Sequence, residues 1–397
     1  MTHPAGGPER TIRDRVAIAG VGETTYYKRG RSPVSEFELA VDAVTRAAED
    51  AGMAVRELDG FASYANDSTQ PVRLARALGL EELRFSNMFW GGGGGGVCGA
   101  VGNAAAAVAA GYADHVVVYR SLAQGRFRFG STFAAMPGGS GISGDFAYSI
   151  PYGVMSPAQA IALRTQRFLA DHGLGQDVLA AIALASYEHA QHNPRAVMYG
   201  RPLTREEYDR SRWIVEPFHL FDCCQENDGA AAVIVTSAER ARDLRARPVY
   251  VLAAAQGGSR GHDLFTHSGP DYATANFKAV AARLYGMAGV EAGDVDVAQI
   301  YENFTGGALM SIIEHGLCGG DEAGAVLTHE NLLWTGRLPV NTSGGNLAEC
   351  YMHGLELVIE AVRQMRGTST CQVPDAAVSL VAGGPVAAPV SSLLLRR

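Results

Sequence analysis

Short unbroken apolar runs alternate along this chain with longer segments in which apolar residues return every three or four positions. The first kind of run predicts buried strands and the second predicts helices that show one face to a core. Val16-Ala-Ile-Ala-Gly-Val-Gly22 reads as a buried strand, followed by a helix from about Glu36 to Ala51. Asp59-Gly-Phe-Ala-Ser-Tyr64 is a second strand, Leu74 to Gly79 a short helix, Val97 to about Ala110 a longer one, and His115-Val-Val-Val-Tyr119 a strand. Asn227-Asp-Gly-Ala-Ala-Ala-Val-Ile-Val235 closes the first half as turn and buried strand. The order then restarts with Val249-Tyr-Val-Leu-Ala-Ala-Ala255, a helix around Thr274 to Gly286, and Val295-Asp-Val-Ala-Gln-Ile300. Leu355, Val358, Ile359 and Val362 mark one more helix, Ala376 to Val381 a strand, and Ser391 to Leu395 a final strand at an edge.

The section from about 122 to 200 breaks this alternation with aromatic, Gly/Pro-rich loops and two helical runs. Insertions of this kind often cover sites. The duplicated α/β order predicts stacked layers with helices between sheets, and ligands usually bind where turns at strand ends converge. Four turns qualify, those after Phe89, Ile300, Val340 and Val381.

Composition narrows the classes. With 397 residues, 47% hydrophobic and 19% charged, the chain is globular and long enough for one large core or several smaller ones. A net charge of −8 and the lack of a Lys/Arg run exclude broad nucleic-acid binding. No apolar run approaches the ~18 residues of a membrane span, and residues 1–8 lack a signal peptide's apolar region, so a cytoplasmic protein is expected. Cys98, Cys223, Cys224, Cys318, Cys350 and Cys371 form no C-x-x-C pair, so neither a zinc site nor a disulfide framework is expected.

Three glycine-rich stretches bear on chemistry. Gly20-Val-Gly22 lacks the third glycine of a dinucleotide fingerprint, Thr25 standing in its place. The six glycines Gly91 to Gly96 lack a following Gly-Lys-Ser/Thr and read either as a flexible loop or as backbone donors at a helix N-terminus. In Asn341-Thr-Ser-Gly-Gly-Asn-Leu-Ala-Glu-Cys-Tyr-Met-His-Gly354, a glycine turn leads into a helix, and Asn346, Glu349, Tyr351 and His353 fall within eight residues. A packing role for Tyr351 and a titratable role on a rigid support both fit that stretch taken alone.

These segments together resemble the thiolase superfamily over nearly the whole chain, in its lipid-transfer-protein or sterol-carrier-type branch. The resemblance rests on Val16 to Thr24, on Gly111-Tyr-Ala-Asp-His-Val-Val-Val118, and on Asn227 to Val235. It implies an α/β thiolase fold, two pseudo-symmetric βαβαβαββ halves in a five-layered αβαβα arrangement. The halves would be 1–245, with the insertion at about 122–200, and 246–397. The key thiolase side chains are replaced: Gly94 stands at the nucleophile position, Tyr301 at the Asn of an Asn-Glu-Ala-Phe turn, Tyr351 at a His and Val381 at a second Cys. Without thiolate or imidazole the acyl-enzyme route is lost. Paired tyrosines with Gly at the nucleophile resemble the actinobacterial steroid side-chain-cleaving aldolases.

That resemblance implies retro-aldol cleavage of a β-hydroxyacyl-CoA, a 17-hydroxy steroid side-chain CoA thioester, to a 17-ketosteroid and propionyl-CoA. Tyr351 would accept the hydroxyl proton and Tyr301 would serve the thioester, or the two roles are exchanged. Asn346 and His353 would support Tyr351, although two residues apart on a helix do not face each other. Backbone N–H groups of Gly94 and Gly383 would stabilise developing negative charge. No cofactor beyond coenzyme A as part of the substrate, and no metal, is implied. The implied partners are a second copy in a homodimer and an OB-fold and zinc-ribbon acyl-CoA-binding domain. Phe127, Phe129 and Phe133 suit a sterol pocket or ordinary packing. Two other functions fit the sequence: a thiolase-type acyltransferase using Cys98, and a non-catalytic sterol or acyl-CoA carrier.

Overall fold

The computed structural model describes residues 11–91, 93–123, 125, 147–259, 269 and 271–397. Phe127, Phe129 and Phe133 lie outside the described residues, as does part of the insertion. The principal strands are β1 (Val16–Glu23), β2 (Gly60–Tyr64), β3 (Phe85–Phe89), β4 (His115–Leu122), β5 (Asn227–Ser237), β6 (Val249–Gly257), β7 (Val297–Ile300), β8 (Val378–Gly383) and β9 (Val390–Arg396). The longer helices are α1 (Glu36–Ala51), α2 (Pro71–Leu78), α3 (Val97–Ala109), α4 (Pro157–His172), α5 (Gln176–His192), α6 (Lys278–Ala288), α7 (Thr305–Glu314) and α8 (Leu355–Arg366).

Strands pair in the order β7-β8-β9-β6-β1-β5-β4-β2-β3. Strands β3, β2 and β4 run parallel at one end and β7 and β8 run parallel at the other, while the pairs between them are antiparallel. The two halves meet through Ala17 with Tyr250 and Ile18 with Val249, and through the Asp14 N–H donating to the Val251 carbonyl, so this is one path of two bent halves. An isolated parallel bridge from Ala298 to Val340 stands beside β7 where β3 stands beside β2, giving the halves matching orders.

Helices α3 and α8 lie between the halves, and one core cluster joins Val97, Cys98 and Val101 of α3, Leu355 and Val358 of α8, and Val233 and Leu393 from the two sheets. Helix α1 covers the outer face of the first sheet through Leu39, Ala43, Val44 and Ala47 against Phe61 and Ile234. Helices α6 and α7 cover the second through Val280, Leu284, Leu309 and Ile312 against Leu252 and Leu394. Five layers result; α3 is apolar on nearly every side, as burial from both sheets requires, whereas α8 buries Glu356, Glu360 and Gln364 along with its apolar residues.

Local chemistry sets the element boundaries. Helix α1 begins at a capping box between Ser35 and Glu38 and stops at Gly52 in the left-handed region. Gly20 and Gly22 let that helix approach β1, since a Cβ at either would sit 2.2 Å from the carbonyl oxygen of Ala47 or Ala43. The glycine pair thus serves packing. Two expectations need correction. Strand β9 is interior, paired with β8 on one side and β6 on the other, and the strand path ends at β3 and β7. Helix α6 starts at Lys278, because the Glu314 carboxylate accepts from the Ala275 and Phe277 N–H groups and the Thr274 hydroxyl, holding 274–277 as a turn.

Candidate active site

The four glycine turns named from the sequence meet at the ends of β7 and β8 and at the entries to α3 and α8. Tyr301 follows β7 directly and is fixed by its N–H, which donates to the Ala382 carbonyl on β8 (2.9 Å). Tyr351 stands four residues before α8, and its N–H donates to Asn227 Oδ1 at the start of β5 (2.6 Å). The two phenol oxygens are 2.5 Å apart, with both side chains buried.

Burial is the largest influence on both phenols and pushes each well above its ordinary pKa. Their shared hydrogen bond acts in opposite senses, raising Tyr301 and lowering Tyr351, and either hydroxyl can be the donor. Cys224 and Glu356 raise both, whereas Arg120 lowers Tyr351. In water a phenolate at neutral pH costs ~4 kcal/mol, and burial adds to that. The pair therefore rests as neutral phenols.

Gly94 is bare for a steric reason. A Cβ there would meet the Tyr301 ring at 2.2 and 2.3 Å and its hydroxyl at 2.6 Å. Gly383 lies behind it, its Cβ position 2.9 Å from the Gly94 carbonyl oxygen, and its N–H bears on the thiol of Cys98. Cys98 itself is fully buried, donates to the Val381 carbonyl (3.5 Å), and has its pKa driven far up by desolvation. It has none of the exposure or electropositive surroundings that a nucleophilic thiolate needs.

Asn346 does not reach Tyr351. Its Oδ1 accepts from the Glu302 N–H (3.1 Å) and its Nδ2 donates to the Glu356 carboxyl, so it ties Tyr301's neighbour to α8. Glu302 and Glu356 are buried, and desolvation pushes both carboxyls well up. His353 does meet Tyr351, edge to face at 4.9 Å. The helical-spacing argument against it fails because 350–354 is irregular, with His353 at φ +53° and α8 beginning only at Leu355.

The sequence reading did not find Arg120, Asp67, Cys224 or Glu302. Arg120 had a signal: it is the cation inside the apolar strand β4, where a charge needs a buried partner. A cavity of about 540 Å³ opens on the Cys224 side of the tyrosines, lined by Tyr187, Met198, Leu220, Phe221 and Phe304 among others. No cluster of metal-ligating side chains occurs among the described residues. None of the described helices is long and apolar enough to cross a membrane.

Residues 258–396 match the family model for a thiolase C-terminal domain-like region. The chain is 39% identical over 389 residues to the 17-hydroxy-3-oxo-4-pregnene-20-carboxyl-CoA lyase of Mycobacterium tuberculosis, covering 97% of this chain and 100% of that protein. It is also 39% identical over 385 residues to the steroid side-chain-cleaving aldolase of Thermomonospora curvata, covering 96% and 97%. Among solved structures, an Ltp2-ChsH2(DUF35) aldolase superposes with a TM-score of 0.89 at 36% identity, over 97% of this chain and 98% of that one.

Proposed function

Because the chain belongs to the thiolase-fold family of steroid side-chain-cleaving aldolases, we propose that it is a carbon–carbon lyase cleaving a 17-hydroxy steroid side-chain CoA thioester to a 17-ketosteroid and propionyl-CoA. The observation that carries this reading is the pair of buried phenols 2.5 Å apart above a turn with no nucleophile.

Retro-aldol cleavage takes a proton from the β-hydroxyl, breaks the bond between the α- and β-carbons, and protonates the thioester enolate. Two neutral phenols in contact supply a route. The hydroxyl proton passes to Tyr351 as Tyr351 passes its own to Tyr301 and Tyr301 protonates the α-carbon. The electrons of the broken bond become the enolate and then the new C–H bond, and both phenols end neutral. At neutral pH, coupling the transfers avoids the cost of a free buried phenolate, and the rate rises with pH as Tyr351 ionises and takes the hydroxyl proton directly. Gly94 lies against Tyr301, and its N–H serves as the backbone donor for the thioester oxygen. Coenzyme A enters as part of the substrate, and the mechanism uses no other cofactor and no metal.

The protein works as a homodimer and with an acyl-CoA-binding partner of the ChsH2(DUF35) kind, in the place of the zinc-ribbon and OB-fold partner that the family resemblance implies. The edge strand β3 supports the homodimer: Met88 is half-exposed, Trp90 beyond its end is 83% exposed, and an unpaired strand edge invites a second chain. Product analysis with the co-encoded partner and a β-hydroxy steroid acyl-CoA tests the reading. Ketone and propionyl-CoA from wild type, lost in both Tyr301→Phe and Tyr351→Phe, are the expected result. Thiolysis alone, or binding with no product, would overturn it.

A further inference from the structure

Behind Tyr351 lies a charged assembly that the proton route does not use. Arg120, on β4, is buried with its side chain 6% exposed and pairs with the fully buried Asp67 (2.8 Å). Its Nε donates to Nδ1 of His353 (2.9 Å). A ring nitrogen that accepts is unprotonated, so His353 is neutral with its proton on Nε2, and burial beside the guanidinium pushes its pKa well below the usual range. The ring of His353 stands edge-on to Tyr351.

The backbone around this assembly is held in costly conformations. Ala65, Asn66 and His353 all have φ between +52° and +55°. Residues other than glycine enter that region at ~1 kcal/mol or more each and stay only where their surroundings fix them. Here the fixing groups are on the page. The Asp67 carboxylate accepts from the N–H groups of Thr69 (2.7 Å) and Ser121 (3.1 Å), Arg120 reaches the Ala65 carbonyl (3.5 Å), and the Tyr64 hydroxyl donates to the Met352 carbonyl (3.2 Å). The turn after β2 is thereby tied to the turn that presents Tyr351.

We propose that Asp67, Arg120 and His353 form a buried positioning relay whose guanidinium places positive charge behind Tyr351, selecting that phenol as the one that carries negative charge during cleavage. The proposal rests on the aldolase reading and adds to it which tyrosine is charged and by what means. Among the described residues, the titratable and charged groups bearing on Tyr351 include Tyr301 after β7, Cys224 before β5, Glu356 on α8, His353 on its own segment and Arg120 on β4. Arg120 is the fixed cation among them. Glu356 and Cys224 oppose an anion at Tyr351, and the Tyr301 hydrogen bond favours it.

The relay predicts effects of opposite sign. Arg120→Gln removes the cation, so the pH at which the rate rises moves up by about one unit or more, and turnover at neutral pH falls about ten- to a hundredfold and recovers with added base. Asp67→Asn leaves the cation less neutralised and moves the same limb down. Arg120→Lys keeps the charge and draws the limb back toward wild type. A second readout needs no substrate: difluorotyrosine in place of Tyr351, followed by ultraviolet titration of the full chain in each background, reports the same shifts. If the lyase reading fails, wild type gives no ketone while this titration still moves with Arg120 and Asp67. Variants that fold and lose rate equally at every pH, with an unmoved fluorotyrosine titration, would overturn the relay; so would shifts of the same sign from Arg120→Gln and Asp67→Asn.

Discussion

The two helices of the middle layer are entered in opposite ways. The turn into α3 is glycine from 93 to 96 and brings no side chain to the site, whereas the turn into α8 crowds Asn346, Glu349, Tyr351, His353 and Glu356 into a buried space. Each turn explains the other. Tyr301 reaches Tyr351 only because its ring passes over Gly94 at a distance that forbids a side chain. One half of the duplicated fold has been emptied so that the other can be filled.

The largest break comes on the filled side. Tyr351→Phe keeps the ring and its packing and removes one oxygen, so the fold should stand while turnover falls about 10²–10⁴-fold, the usual reach of a positioned acid or base. Tyr301→Phe is expected to match it, because a relay fails at either link. Single-turnover product formation checks both.

Filling the empty side comes next. Gly94→Ala puts a methyl into the Tyr301 ring, which forces the phenol away from its partner. A stability loss of about 1–3 kcal/mol in urea unfolding is expected. With it should go a turnover loss of about a hundredfold, from misplacement of the Tyr301 hydroxyl. Unchanged turnover would show that Gly94 is bare for another reason.

Much of this contrast could be read in the sequence. The glycine run, the two tyrosines and the dense stretch before α8 are local features, and so are the bounds of α1, which its cap residues declare. What escaped is tertiary. Strand β3, Phe85-Ser-Asn-Met-Phe89, has no β-branched residue and takes its state from parallel pairing with β2. The final strand reads as an edge in the sequence, whereas β8, just before it, pairs on one side and β6, from the distant segment 249–257, covers the other. Asp67, Arg120 and His353 are far apart in sequence and meet through the ends of β2 and β4. His353 seemed to face away from Tyr351 only on the assumption of a regular helix.

The filled turn also carries a pH cost that the glycine turn lacks. Glu349 is buried, and desolvation first, then the nearby Glu23, pushes its pKa up to about 7 against the lowering effect of Arg363. A raised carboxyl contributes stability while protonated, fully present below its unfolded value and lost as pH climbs through about 7. The loss should reach ~3 kcal/mol at most. Glu349→Gln retains an acceptor for Asn193 Nδ2, which donates to Glu349 at 2.8 Å, and should flatten that decline. Urea unfolding at about pH 5 and about pH 8 measures it; an equal decline in the variant would assign the pH dependence to other groups.

The smallest effect is expected at Cys98, the second residue of α3. Its thiol is fully buried, donates to the Val381 carbonyl, and is held protonated by desolvation. Cys98→Ala leaves a small cavity among Val97, Val101 and Leu393, costing about 1 kcal/mol. Turnover should stay within about twofold, since a buried protonated thiol offers no nucleophile. Intact-mass measurement during turnover adds an independent reading, with no acyl group expected on wild type. A folded Cys98→Ala protein that lost activity, together with an acylated wild type, would move the chemistry onto α3. The emptied turn would then be the reactive one, and the tyrosines would be its supports.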